Sequence, residues 1–159
     1  MYLEKFNYFI KKNKDYKLIT IYNKIITKFD LNDLLITKII PIINIHKTIQ
    51  LLTQNQYKLT DEYSLLIIVY IILIKMKINI ELTNKLRFKL NNEIPNFKLI
   101  SKIYTQILNT LIIKCNIKYK KNTVISGIKD FLNFKDLIVF FNDMNTYIIE
   151  NNITVETFL

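Results

Sequence analysis

The side chains able to do chemistry in this chain are few, and the best placed of them are cations beside an aromatic ring. Arg87 and Lys89 flank Phe88, with Lys75, Lys77 and Lys85 close by. Cations of this kind hold phosphates without reading sequence. An exposed ring stacks on an unpaired base or packs against a ribose. A core Phe88 with solvated cations as its neighbours fits the pattern equally well. Catalytic chemistry has less to draw on. One histidine, His46, and one cysteine, Cys115, make no credible Ser–His–Asp or Cys–His set. They leave no zinc cluster and exclude an internal disulfide, so both read as structural residues. A single glycine forbids a G-x-x-x-x-G-K-[ST] phosphate loop. The acids are scattered, whereas metal-dependent nuclease work needs clustered carboxylates. We therefore expect no enzyme, no metal and no cofactor.

Composition points the same way. The net charge is +10 over 159 residues, which suits a polyanionic partner, nucleic acid or a lipid surface. Residues 130–159 hold one lysine and five acids, a net −4, which leaves +14 for residues 1–129. The basic field belongs to the body, and the last thirty residues face something else. Ile (32 copies), Asn (19) and Lys (22, against one Arg) dominate, while Ala and Trp are absent. Every gain has A+T-rich codons, so lysine also reads in part as genomic drift. In such a chain the one surviving glycine, Gly127, is expected at a positive φ or a close approach.

The elements that position these residues follow from periodicity. Tyr2, Phe6, Phe9, Ile10, Tyr16, Ile19, Tyr22, Ile25 and Ile26 predict an N-terminal helix over about 2–28. Asn32 or Asp33 is placed to cap the next element. Residues 34–45, β-branched around Pro41, read as an edge strand, and 47–56 as a short helix. TDEY (60–63) caps a segment through 73. Its run LLIIVYIILI (65–74) is about half the length of a spanning helix and is bracketed by Glu62, Lys75 and Lys77. It reads as buried core, helix or strand, with no membrane insertion. Residues 75–90 read as strands joined by a loop, and NNEIPN (91–96) as a turn. Residues 99–114 return to helical spacing, 118–122 form a basic loop, 124–128 are strand-like, and 152–158 alternate like a last strand. The charged N-terminal residues show no secretory signal. The order of elements predicts a single α+β domain, an antiparallel-rich sheet with helices packed on one face.

Several blocks carry a family resemblance. FKLNNEIP (88–95) is similar to an F-K-L-x-x-x-x-P block, matching at Phe88, Lys89, Leu90 and Pro95. Lys75 and Ile78 fall on a K-P-x-I/V-T segment, and IYTQILNTLI (103–112) on an M-Y-x-F-L-x-x-L-I helix. GIKDFLNFKDL (127–137) fits G-I-x-E-x-x-x-F-P-E-I, Asn152–Val155 fits [ND]-[IV]-T-[IV], and residues 24–35 fit an L-x-x-K-[FL]-N-Y-x-N-V-M helix end. In this order the blocks resemble the L-five family of large-subunit ribosomal proteins, which bind 5S rRNA in the central protuberance. The chain departs from the family in its lost glycine turns, its shortened segment 115–121 and the missing C-terminal helix after Phe158.

The resemblance implies an α+β fold whose sheet docks on 5S rRNA or its replacement. It implies RNA contacts at Phe88, Ser101 and Asn44, with Ile74 where the family has a glutamine; the cations Lys75, Lys77, Lys85, Arg87 and Lys89, read from the residues themselves, complete the expected RNA-binding set. It also implies a loop toward P-site tRNA carrying Lys89, Asn91, Asn92, Pro95 and Asn96. The further partners implied are large-subunit rRNA, neighbouring large-subunit proteins and a small-subunit head protein, with the acidic C-terminal segment as a protein-facing side. Together with the A+T drift, this points to an organelle-encoded copy in the mitochondrial matrix, on the mitochondrial ribosome. Two other classes stand beside it. A viral or plasmid helical interaction protein, without catalytic activity, would show continuous helix through 75–98 and no sheet. A small inner-membrane subunit would extend 65–74 into a span.

Overall fold

A computed structural model of the chain describes residues 15–31, 33–119 and 125–159. The helices are α1 (Asp15–Phe29), α2 (Asp33–Ile36), α3 (Ile39–Thr53), α4 (Asp61–Met76), α5 (Ile80–Glu93), α6 (Phe97–Tyr119), α7 (Ile128–Leu132), α8 (Leu137–Glu150) and α9 (Val155–Phe158). Among the described residues there is no strand, so the expected α+β sheet is overturned in favour of an all-helical fold.

The organising element is α4. From Ser64 to Leu73 every residue is buried, and a helix apolar on all sides needs neighbours on all sides. It has them: α1, α3, α5, α6 and α7 pack around it. Thr60 caps it, its side chain accepting from Tyr63 N at 3.2 Å, and Asp61 and Glu62 sit in the first turn, where the helix dipole favours acids. None of the described helices is long and apolar enough to cross a membrane. All but one of the buried hydrophobic residues among those described form one continuous cluster, from Tyr22 to Phe158. Tyr22 on α1 is sealed in it, its hydroxyl donating to Leu35 O at 2.7 Å. On the far side α8 lies against α3, and Phe131, Phe140 and Phe141 make an edge-to-face triad with centroids 5.5–6.1 Å apart.

Each expected strand fails for a local reason. Pro41 lies in the first turn of α3, where a missing N–H costs nothing, so 34–45 is no edge strand. In 75–90, Lys77 closes α4 in the left-handed region (φ 55°) and Asn79 opens α5, its side chain accepting from Leu82 N at 3.1 Å. Beyond them Leu86, Leu90 and Ile94 are buried, with Leu82 partly so. This strict four-residue stripe is helical, and it overrides the β-branched flavour of the segment. Within 124–128, Val124 lies outside the described residues. Ile125 is held by the Asn116 side-chain amide, which accepts from its N–H at 2.7 Å and donates to its carbonyl. One asparagine thus substitutes for a neighbouring strand. Residues 152–158 become α9 because Thr154 and Thr157 form a reciprocal cap.

Of the expected N-terminal helix, the described part is α1; residues 2–14 lie outside the described residues, as do Asn32 and 120–122 of the basic loop. Of the segment 47–56, residues 47–53 are the second half of α3 and 54–56 are turn, while 99–114 is the interior of α6.

Left-handed backbone is carried without glycine, at Asp30, Gln54, Asn55, Lys58, Lys77, Asn79, Asn96 and Asn152 (φ 49–60°). Gly127 itself has φ −172°, an extended conformation open to any residue, and a Cβ there would meet nothing within 4 Å. It therefore meets neither expectation. The start of α7 is secured by its neighbours instead, with Ser126 Oγ donating to Asp130 at 2.6 Å. Gly127→Ala gives up some N-cap preference but lowers the entropy of the unfolded chain. The expected net change in a urea unfolding experiment is below about 1 kcal/mol; a loss well above that would restore a backbone requirement at 127.

Candidate nucleic-acid interface

Two helix rows face one another across a groove of about 650 Å³. Asn84, Arg87, Phe88 and Asn91 recur on α5 at steps that place them on one side of a helix. Lys98, Ser101 and Lys102 do the same on α6, and Tyr70 and Phe97 form the inner wall, their rings 5.5 Å apart. The α5 stripe of Leu86 and Leu90 is buried, which turns the polar row outward. At the C-terminal end of α5, Asn96 adopts φ 60° and its carbonyl accepts from Ile100 N at 3.0 Å, so that α6 returns beside α5.

The groove carries no carboxylate among its lining residues. Arg87 Nη2 donates to Asn84 Oδ1 at 2.8 Å, which holds the guanidinium at the wall. Burial raises the pKa of the Tyr70 hydroxyl, and the Arg87 cation beside it pulls the other way. Phe88 is 73 % exposed, so of its two expected places the core is excluded.

The expected site residues distribute as follows. Arg87, Phe88, Asn91 and Ser101 meet in this groove. Lys85 is exposed on α5 but not in the lining, and Lys77 is exposed at the end of α4. Lys89 is tied to Glu93 at 2.9 Å, a carboxylate that also accepts from Tyr63 at 3.0 Å. Lys75 donates to Asn109 on α6 and lines a separate depression with Gly127 and Ile128; burial lowers its pKa. Asn44 is only 3 % exposed and bonds back to Ile40 O at 3.0 Å, so it offers nothing to an external ligand. The expected tRNA-facing loop is mostly helix: Lys89, Asn91 and Asn92 belong to α5, and only Pro95 and Asn96 stand in the turn. Sequence reasoning missed Asn84, Lys98 and Lys102. The spacing of Lys98 and Lys102 around Ser101 was the available signal.

A second polar cluster lies inside the protein. Ser64 Oγ meets His46 Nδ1 at 3.1 Å, Gln50 Nε2 at 3.1 Å and Tyr104 OH at 3.0 Å. His46 Nε2 lies 3.4 Å from Asp61 Oδ1. Ser64, His46 and Asp61 thus stand in one connected row, where no Ser–His–Asp set is expected. Ser64 has no exposed surface and His46 is 2 % exposed, so Ser64 Oγ has no face left for a substrate. Its single proton and two lone pairs are matched if it donates to Nδ1 and accepts from Gln50 and Tyr104. Cys115 is likewise buried, and burial pushes its thiol up to about 11, far from a reactive thiolate.

Burial lowers the pKa of His46, against the opposing pull of Asp61. An unfolded imidazole takes its proton near pH ~6.5, while the folded one resists. Below that pH the unfolded chain binds the extra proton, so stability is full above ~6.5 and declines as pH falls through and below it. The urea midpoint is expected to drop between about pH 8 and about pH 5, with a shallower drop in His46→Gln. Identical pH dependence in the two proteins would refute the assignment to His46.

No family model, no curated protein and no solved structure matches the chain.

Proposed function

We propose that this chain is a non-catalytic RNA-binding protein that grips the sugar–phosphate backbone in the α5–α6 groove. The observation that carries this reading is the groove itself: Arg87, Lys98 and Lys102 converge with an exposed aromatic ring and no carboxylate among the lining residues. The positive charge of residues 1–129 adds long-range attraction for a polyanion. The sheet-docking mechanism implied by the L-five resemblance has no platform, since no strand occurs among the described residues. The resemblance therefore supports RNA as ligand, and ribosomal RNA in a mitochondrial particle as its setting, more weakly than the groove supports RNA binding. The helical alternative expected continuous helix through 75–98 and no sheet; no strand occurs there, but the helix is broken by turns at Lys77–Asn79 and Ile94–Asn96.

The test is a salt titration of purified protein with labelled RNA, paired with sedimentation of cell extracts. Retention at about 50 mM salt with a steep logarithmic decline is expected. Absence of binding at that salt would overturn the reading, and sedimentation away from large subunits would remove the ribosomal setting alone.

A further inference from the structure

Resting on that reading of the groove, we infer that its ligand is an unpaired stretch of RNA, with one base seated on Phe88 and the flanking phosphates on Arg87, Lys98 and Lys102. Three features of the wall select for it. First, Phe88 is exposed over most of its surface and makes no ring–ring contact among the described residues. In a duplex each base already has both faces covered by its neighbours, so only an unpaired base can use the ring. Second, Asn84 and Asn91 lie one helical turn before and after Phe88 on the same row. Because arginine only donates, its bond fixes Asn84 Oδ1 toward Arg87. The Asn84 NH₂ is thereby left to donate beside the ring, where the carbonyls and ring nitrogens of a base edge would lie. Third, the remaining groups are mostly donors: two ammonium heads, a guanidinium and an amide, against few acceptors and no acid. A ligand rich in acceptors and negative charge, with a flat apolar face, meets all three.

The experiment compares a labelled oligouridylate with a duplex RNA of matched length by fluorescence anisotropy. Wild-type protein is expected to hold the single strand roughly tenfold or more tightly than the duplex. Phe88→Ala should remove that preference by weakening the single strand alone, and Phe88→Tyr, which keeps a stacking face, should retain it. The position is exposed, so Ala is compatible with folding, and an unchanged helical circular dichroism spectrum verifies this. Lys98→Ala with Lys102→Ala should weaken both ligands alike. Equal affinity for the two RNAs, or a Phe88→Ala loss shared by both, overturns the inference and leaves a phosphate-only groove. Failure of both RNAs to bind the wild type overturns the RNA reading beneath it as well.

Discussion

Ser64→Ala is expected to destabilise the protein by about 3 kcal/mol, a large fraction of the stability of a domain this size. The change removes almost no volume. What it removes is the shared partner of three side chains, His46, Gln50 and Tyr104. The Tyr104 hydroxyl and His46 Nδ1 are sealed from water, and each orphaned buried group costs roughly 1–3 kcal/mol. Gln50 is only partly buried and recovers hydrogen bonds from solvent. The measurement is the urea midpoint and slope of the two proteins. Adding Tyr104→Phe to the Ser64→Ala protein deletes one orphan and should recover part of the loss. If the double variant falls below the Ser64→Ala protein by the full effect of Tyr104→Phe in the wild type, the network has no shared energy.

Removing Arg87, Lys98 and Lys102 together is expected to lower RNA affinity by roughly a hundredfold at low salt. A charge-assisted hydrogen bond contributes roughly 1 kcal/mol or more after solvation is counted. The logarithmic salt slope should fall by about 0.7 for each phosphate of a single strand that is no longer neutralised. Fold stability should hardly change, because Lys98 and Lys102 are exposed and, among the described residues, the partners of Arg87 are Asn84 and the Tyr70 hydroxyl, both on the groove wall. Removing Lys77 and Lys85, which are as exposed but lie outside the groove lining, sets the scale for charge alone. Losses of equal size in both proteins would mean that diffuse charge, and not the groove, binds the RNA.

The sequence makes chemistry more legible than architecture. The Arg87–Phe88 pair stands out as residue types and lines the groove, where Ser101 and Asn91, reached only through the family resemblance, join it. The burial of 65–73 and the Thr60 cap are legible too, because a run of apolar residues and a hydroxyl before two acids have direct physical meanings; Ile74, the last of the run, is exposed. The helices pass for strands because drift has changed the alphabet. With isoleucine the commonest residue of the buried core, β-branching stops distinguishing strands from helices. With glycine nearly gone, the left-handed breaks at Gln54, Lys77, Asn79 and Asn152 carry no glycine to mark them. The signal that survives is spacing alone: Leu82, Leu86, Leu90 and Ile94 step by four through a segment whose composition suggests strand. Once 80–93 is a helix, Asn84 and Asn91 fall in line with Phe88, and Lys98 and Lys102 come to face them. Asn44 is unreadable for the opposite reason, since a polar residue inside a helix can satisfy itself on the turn before it.

The all-round burial of α4 also has a consequence for biosynthesis. Its shields arrive at different times: α1 and α3 precede it, whereas α5, α6 and α7 come later, the last ending at Leu132. Until then LLIIVYIILI is an uncharged, β-prone stretch of the kind that pairs with copies of itself. A chain halted before α7 is complete would present that surface to its neighbours, so truncation from the C-terminal side should yield aggregates and not a smaller folded unit.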